Sequence, residues 1–173
     1  MQEGLFQHFT AAAAEATGRP IIPCNICHHT GVSLANEVLR RLAELENIVG
    51  IKDCCADPAK SFALTAPRPD EFLVLTDEDA FFHATLHQGV NGGTLTAVHV
   101  ETATFAPFRA LFLDNQRKAV LNEWRGRAKV TRLLFRKPNP AAVKYWLYRT
   151  ELITSPVPHL PMIAASSALQ GMI

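Results

Sequence analysis

Four short apolar runs, at residues 20–26, 47–52, 72–76 and 93–98, are each followed by a stretch with helical patterning. Strands alternating with helices at this spacing predict repeated β/α units and a parallel sheet, because parallel neighbours need a crossover long enough to hold a helix. Such crossovers are right-handed, which brings the carboxyl ends of the strands to one face. Four units make half of an eight-stranded barrel. The expected fold is therefore α/β, with parallel (β/α)4 units that either leave an open sheet with two edges or form half of a TIM-type barrel. Pro23 lies inside the first run and removes a ladder donor, which suits an edge strand.

The intervening segments carry their own start and stop signals. Leu5, Phe9, Ala12, Ala13 and Ala16 form one helical stripe, closed by Gly18 and Pro20. Ser33 is expected to cap a helix with Leu34, Val38, Leu42 and Leu45 on one face. Asp57 followed by Pro58 is an N-cap with proline at the first helical position. Residues 78–87 read as a helix carrying Phe81, Phe82 and Leu86. Beyond Val100 the pattern is helical only, with a long helix expected over 114–137 and shorter ones after Pro140 and Pro161. The expected organisation is β/α units over residues 1–100 and a helical extension over 101–173 of the same domain.

The second run ends in a lysine, Asn47-Ile48-Val49-Gly50-Ile51-Lys52-Asp53. Burial disfavours an ammonium, so a lysine at the end of a buried strand is expected to have a lowered pKa. At roughly 7–8 a useful fraction is free amine, a nucleophile for carbonyl carbon. The same residue could instead extend its head into solvent from the strand end. Both readings stay open on strand context alone.

Composition narrows the function classes. The chain is 48% apolar and 19% charged, with a formal net charge of +1, so no global field argues for nucleic acid or acidic lipid. No apolar run is long enough to span a bilayer, and the first residues lack the pattern of an export leader. Reduced thiols and a cytoplasmic location are expected for the four cysteines, of which Cys54 and Cys55 are adjacent. Cys24-Asn25-Ile26-Cys27-His28 matches the attachment pattern of c-type haem, but such attachment goes with export. With His29, Cys54 and Cys55 the same segment offers zinc-type ligands, in a spacing that fits no common zinc module. No metal is expected. The basic stretch from Arg117 to Lys137 reads as the solvated face of an amphipathic helix with Val120, Leu121, Trp124, Val130, Leu133 and Leu134 inside.

Taken in order, several segments resemble the dihydrodipicolinate synthase / N-acetylneuraminate lyase family. They are Gln2-Glu3-Gly4-Leu5-Phe6-Gln7-His8-Phe9, the run from Asn47 to Asp53, Phe72-Leu73-Val74-Leu75-Thr76-Asp77-Glu78-Asp79, Lys137-Pro138-Asn139-Pro140-Ala141-Ala142-Val143-Lys144 and Leu160-Pro161-Met162. The resemblance implies a class I aldolase-type (β/α)8 barrel that forms a Schiff base with pyruvate or another 2-oxo acid. Lys52 would be the imine-forming lysine. No cofactor is implied, since the protonated imine is itself the electron sink. Assembly as a homo-oligomer is implied as well.

The resemblance covers the family's carboxyl-terminal portion, from the fourth barrel helix onward, so a truncated relative is expected. The glycine- and threonine-rich loop for the pyruvate carboxylate and one tyrosine of the proton relay have no counterpart. Cys24 stands where a second relay tyrosine is usual, and a thiol differs from a phenol in length and pKa. His29 stands where the synthases commonly place an arginine for the carboxylate of the aldehyde substrate. Thr94 occupies an aliphatic position that lines the pyruvate site through its backbone. Two function readings follow: a pyruvate-dependent Schiff-base lyase or aldolase such as 4-hydroxy-tetrahydrodipicolinate synthase, or a catalytically impaired relative that serves as an interaction module or has no independent function.

Overall fold

The computed structural model describes residues 1–173, which divide into two compact units, Met1–Thr94 and Leu95–Ile173. The first unit opens with helix α1 (Gln2–Glu15). Strand β1 (Cys24–Asn25) follows, then the short helix α2 (Cys27–Thr30) and helix α3 (Asn36–Leu42). Strand β2 (Gly50–Asp53), helix α4 (Pro58–Thr65), strand β3 (Leu73–Thr76), helix α5 (Phe82–His87) and strand β4 (Gly92–Gly93) complete it.

The four strands form one sheet in the order β1-β2-β3-β4, and every neighbouring pair is parallel. This is a (β/α)4 portion of a TIM-type barrel. Register aligns Cys24, Lys52, Leu75 and Gly92 in one row across the sheet. Alternation along the strands then separates two sides. Ile51 and Val74 are buried and share their side with Asp53 and Thr76. Lys52 and Leu75, half-buried, face the opposite way. Leu39, Leu42, Leu64 and Leu86 supply the buried apolar faces of the helices.

A local signal explains the start of α4. Asp57 accepts a hydrogen bond from the Lys60 amide at 3.0 Å, and Pro58 supplies the first helical position of α4. The run expected over 20–26 narrows to β1 plus an isolated bridge between Ile21 and Ile48. Pro23, with no donor of its own, contributes its carbonyl to the Lys52 amide at 2.9 Å.

Two element boundaries are corrected. Ser33 does not cap α3: the helix starts later, behind Ala35. Gln2 of α1 takes over that end, donating to the Ser33 carbonyl at 2.8 Å and accepting from the Ala35 amide at 2.9 Å. The Ser33 hydroxyl is engaged by Lys60 Nζ at 2.6 Å. The fourth strand does not run over 93–98 either. Its last bond to β3 runs from the Thr94 amide to the Thr76 carbonyl, and the amides of Val100 and Glu101 already bond back to the Ala97 carbonyl. Leu95 and Ala97 are buried without being strand, and an apolar run of this length has no periodicity that separates the two states.

The second unit holds four helices and no strand, α6 (Val98–Leu113), α7 (Arg117–Leu134), α8 (Ala141–Arg149) and α9 (Ser167–Gln170), with residues 150–166 outside any helix. Glu101 breaks the helical path of α6 with φ −135° and ψ 43°. Phe108 of α6 is buried and meets Trp124 of α7 edge-to-face, with ring centroids 6.0 Å apart. Arg127 pairs with Glu123 at 2.9 Å and Glu101 at 3.4 Å. The remaining basic residues Arg117, Lys118, Arg125, Lys129, Arg132 and Arg136 are exposed, while Val120, Thr131 and Leu134 are buried. Leu121, expected inside, is exposed.

Candidate active site

Parallel register puts the carboxyl ends of β1, β2 and β3 side by side, and the chemistry-bearing side chains collect there. Lys52 leaves β2 on the side opposite the apolar core, with 26% of its side chain exposed. Asp77, the first residue past β3, meets it: Nζ and Oδ2 are 2.8 Å apart. Two further donors hold the same carboxylate. The Cys54 thiol donates to Oδ2 at 3.1 Å, and Thr94 Oγ1 donates to Oδ1 at 3.2 Å. Cys24 enters through Cys54, with the two sulfurs 3.9 Å apart. Cys24, Lys52, Cys54, Asp77 and Thr94 thus form one continuous polar cluster.

The electrostatics run against the lowered lysine pKa expected from the strand alone. Burial pulls Lys52 down, but the hydrogen bond to Asp77, helped by the electrostatics of the neighbouring Cys54, Asp77 and Cys24, outweighs it, and the net shift is upward. Lys52 therefore rests as an ammonium. Burial pushes the Cys54 thiol well above the ordinary thiol range, and the Asp77 carboxylate beside it adds to that. Cys54 is a proton donor here, not a thiolate. Burial raises Cys55 too, which contacts the Ser33 hydroxyl at 3.5 Å and the Asn25 carbonyl at 3.6 Å.

A second polar network lies on the core side of the same strands. Asn25 Nδ2 donates to Asp53 Oδ1 at 3.0 Å, and Ser61 Oγ donates to Asp53 Oδ2 at 3.1 Å. Asn25 Oδ1 accepts from the Leu34 amide at 2.9 Å. Asn25 and Asp53 are buried, and this bracing joins β1 to β2 and β2 to α4 beneath the site.

Among the residues singled out from sequence, Lys52, Cys24 and Thr94 come together around Asp77. The Thr94 amide also bonds the Thr76 carbonyl at 2.9 Å. His29 lies exposed on α2, where its ring meets His28 edge-to-face at 4.5 Å between centroids. Asp77 is the residue that sequence reasoning missed. Its signal was position: it directly follows an apolar strand in a fold whose active face is the carboxyl end of the strands. The zinc-type set considered for the cysteines and histidines does not form, as no three His, Cys, Asp or Glu side chains are arranged to hold a metal ion. No helix is long and apolar enough to cross a membrane.

Sheet topology and the lysine at its carboxyl edge define a protein of the (β/α)-barrel class. The chain belongs to the dihydrodipicolinate synthetase family, whose model matches residues 1–171. It is 39% identical over 169 residues to 4-hydroxy-tetrahydrodipicolinate synthase 2 of Clostridium acetobutylicum, covering 98% of this chain and 59% of that protein. It is 35% identical to 4-hydroxy-tetrahydrodipicolinate synthase 1 of Halalkalibacterium halodurans, covering 99% of this chain and 58% of that one. Solved structures agree in fold. Dihydrodipicolinate synthase of Bacillus anthracis superposes with a TM-score of 0.91 at 29% identity, over 99% of this chain and 58% of that chain. The chloride-inhibited synthase of Acinetobacter baumannii, solved in complex with pyruvate, gives 0.92 at 28% identity with the same coverage. The chain spans under three-fifths of the length of these relatives.

Proposed function

We propose that this chain carries Schiff-base chemistry of the pyruvate-dependent lyase and aldolase type, with Lys52 as the imine-forming nucleophile and pyruvate or another 2-oxo acid as its ligand. One observation carries the reading: an ammonium on the carboxyl face of a parallel sheet, its Nζ 2.8 Å from a carboxylate that can take its proton. Family membership supports this substrate class, since relatives are 4-hydroxy-tetrahydrodipicolinate synthases and one was solved with pyruvate. Thr94 borders the ligand through its backbone in this reading, and His29 is the candidate contact for a second substrate. Cys24 acts as a proton carrier only by way of Cys54. Neither metal nor organic cofactor is required. Assembly as a homo-oligomer belongs to the same reading, and sedimentation velocity tests it.

Incubation with pyruvate, reduction with borohydride and peptide mapping by mass spectrometry test the chemistry. A reduced adduct on the peptide bearing Lys52, lost in Lys52→Ala, is the expected result. An unmodified peptide at high pyruvate refutes it. The 2.8 Å ion pair that holds Lys52 as an ammonium favours a second reading, a catalytically impaired relative that serves as an interaction module or has no independent function, because a resting ammonium is a poor nucleophile. Absence of any adduct supports that alternative.

A further inference from the structure

We propose that Asp77 is a catalytic proton-transfer group for the Lys52 imine reaction, taking the ammonium proton from Nζ and returning it to the oxygen that leaves as water. The inference rests on the Schiff-base reading of Lys52 and adds the acid–base partner that such a reaction needs.

Geometry comes first. Asp77 Oδ2 is within hydrogen-bond reach of the reacting nitrogen itself, at 2.8 Å. Its position is over-determined, because Cys54 and Thr94 hold its two oxygens from either side. Lys52 of β2 pairs with Leu75 of β3, two residues before Asp77, and the Asp77 amide continues the ladder to the Asp53 carbonyl at 3.2 Å. A site built on strand ends keeps such a contact more closely than one built on loops. The other groups in the cluster point the opposite way chemically. Cys54 offers a proton rather than accepting one, and Cys24 touches Cys54. Thr94 is a hydroxyl. The carboxylate is the acceptor.

The step balances with one proton borrowed and returned. Asp77 takes a proton from the Lys52 ammonium and becomes a carboxylic acid, leaving the amine lone pair free. That lone pair forms the C–N bond at C2 of the 2-oxo acid, and the carbonyl π electrons move to oxygen. A proton then passes from the new nitrogen centre to that oxygen, giving the neutral carbinolamine. Asp77 returns its proton to the carbinolamine hydroxyl, the C–O bond breaks, and water leaves. The nitrogen lone pair closes the C=N bond, and the resulting iminium again faces the Asp77 carboxylate. No oxidant or reductant is involved.

Asp77 has two opposed effects on this reaction, and that makes the proposal sharp. As a charge it stabilises the ammonium and reduces the free amine at neutral pH. As a base it supplies the route by which the amine is freed. Asp77→Asn removes both while leaving acceptor and donor atoms in the cluster. If the carboxylate is only an ion-pair partner, this variant is trapped by pyruvate and borohydride as fast as the parent chain or faster at pH 7. If it transfers the proton, trapping on the Lys52 peptide falls by roughly 10²-fold or more. Asp77→Ala plus formate gives the second measurement. Added formate is expected to restore trapping in a concentration-dependent way while leaving the parent chain unchanged, and Asp77→Glu is expected to retain most of the rate.

Far-UV circular dichroism of each variant separates loss of the step from loss of the fold. If Asp77→Asn does not fold, Asp77→Glu decides: a rate as low as that of a surface lysine overturns the proposal, and retention supports it. Parent chain trapped, with Asp77→Asn equal or faster, overturns the role of Asp77 and leaves the Schiff-base reading standing. No adduct on Lys52 in the parent chain overturns both.

Discussion

Lys52 and Asp77 lie 2.8 Å apart at the carboxyl ends of adjacent parallel strands, and the contact favours the ammonium form of the lysine. The aspartate raises the folded-state pKa above the ordinary lysine value. A shift in this direction contributes stability that is fully present below the unfolded value, near 10.5, and is lost as pH rises through the folded value. Urea midpoints of the parent chain should therefore fall more steeply above about pH 10 than those of Lys52→Met. Parallel curves for the two proteins above pH 10 would remove the pairing as a source of stability.

Beneath the site, Asn25 and Asp53 share a buried hydrogen bond of 3.0 Å, and Ser61 closes the other side of the carboxylate. Asp53→Ala strands two buried donors at once, Asn25 Nδ2 and Ser61 Oγ. The expected loss is about 2–4 kcal/mol of unfolding free energy, since each orphaned buried group costs about 1–3 kcal/mol. Urea denaturation with an unchanged m-value is the measurement, and a loss below about 0.5 kcal/mol contradicts the network.

Gly50 is required by the approach of β3. A Cβ built there would lie 2.5 Å from the Leu73 carbonyl oxygen and 2.8 Å from Leu73 Cβ. The nearest atom is backbone held in the β2–β3 ladder, so it cannot swing aside. Gly50→Ala is expected to cost about 1–3 kcal/mol by forcing the strands apart. Gly126, with nothing within 4 Å, is the control, and its replacement by alanine in mid-helix should stabilise by about 0.5–1 kcal/mol. Equal midpoints for the two variants would contradict the close approach.

Thiol labelling should follow exposure and charge. Cys24 is exposed, whereas Cys54 is buried and kept protonated by burial and by Asp77. Maleimide at pH 7 is expected to label Cys24 at least about tenfold faster than Cys54, because the thiolate is the reactive form. Replacing Asp77 by Asn should narrow the gap. Peptide mapping over a time course measures both, and faster labelling of Cys54 would contradict the geometry.

Helix starts and the strand–helix alternation were legible where a short local pattern carries them. Asp57 and Pro58 open α4 as their chemistry requires, and the stripe from Leu5 to Ala16 became α1. The Ser33 cap was not legible, because its competitor came from elsewhere in the chain: Gln2 satisfied the start of α3 and Lys60 occupied the hydroxyl. The fourth strand was overextended for a related reason. Leu95 and Ala97 are buried as strand residues are, but their burial comes from helix entry.

Sequence by itself determined the α/β class, the parallel order of units and the placement of Lys52 at a strand end. Those properties follow from hydrophobic period, turn residues and the handedness of crossovers, which act over a few residues or over any β/α chain. What Lys52 touches was decided only in tertiary structure. The register of β2 against β3 pairs Lys52 with Leu75 and thereby brings Asp77, two residues on, within reach of Nζ. Register is a contact between distant segments, so nothing near Lys52 in the chain specifies it. Burial alone would have lowered the lysine pKa, and a carboxylate delivered from the next strand reversed the sign.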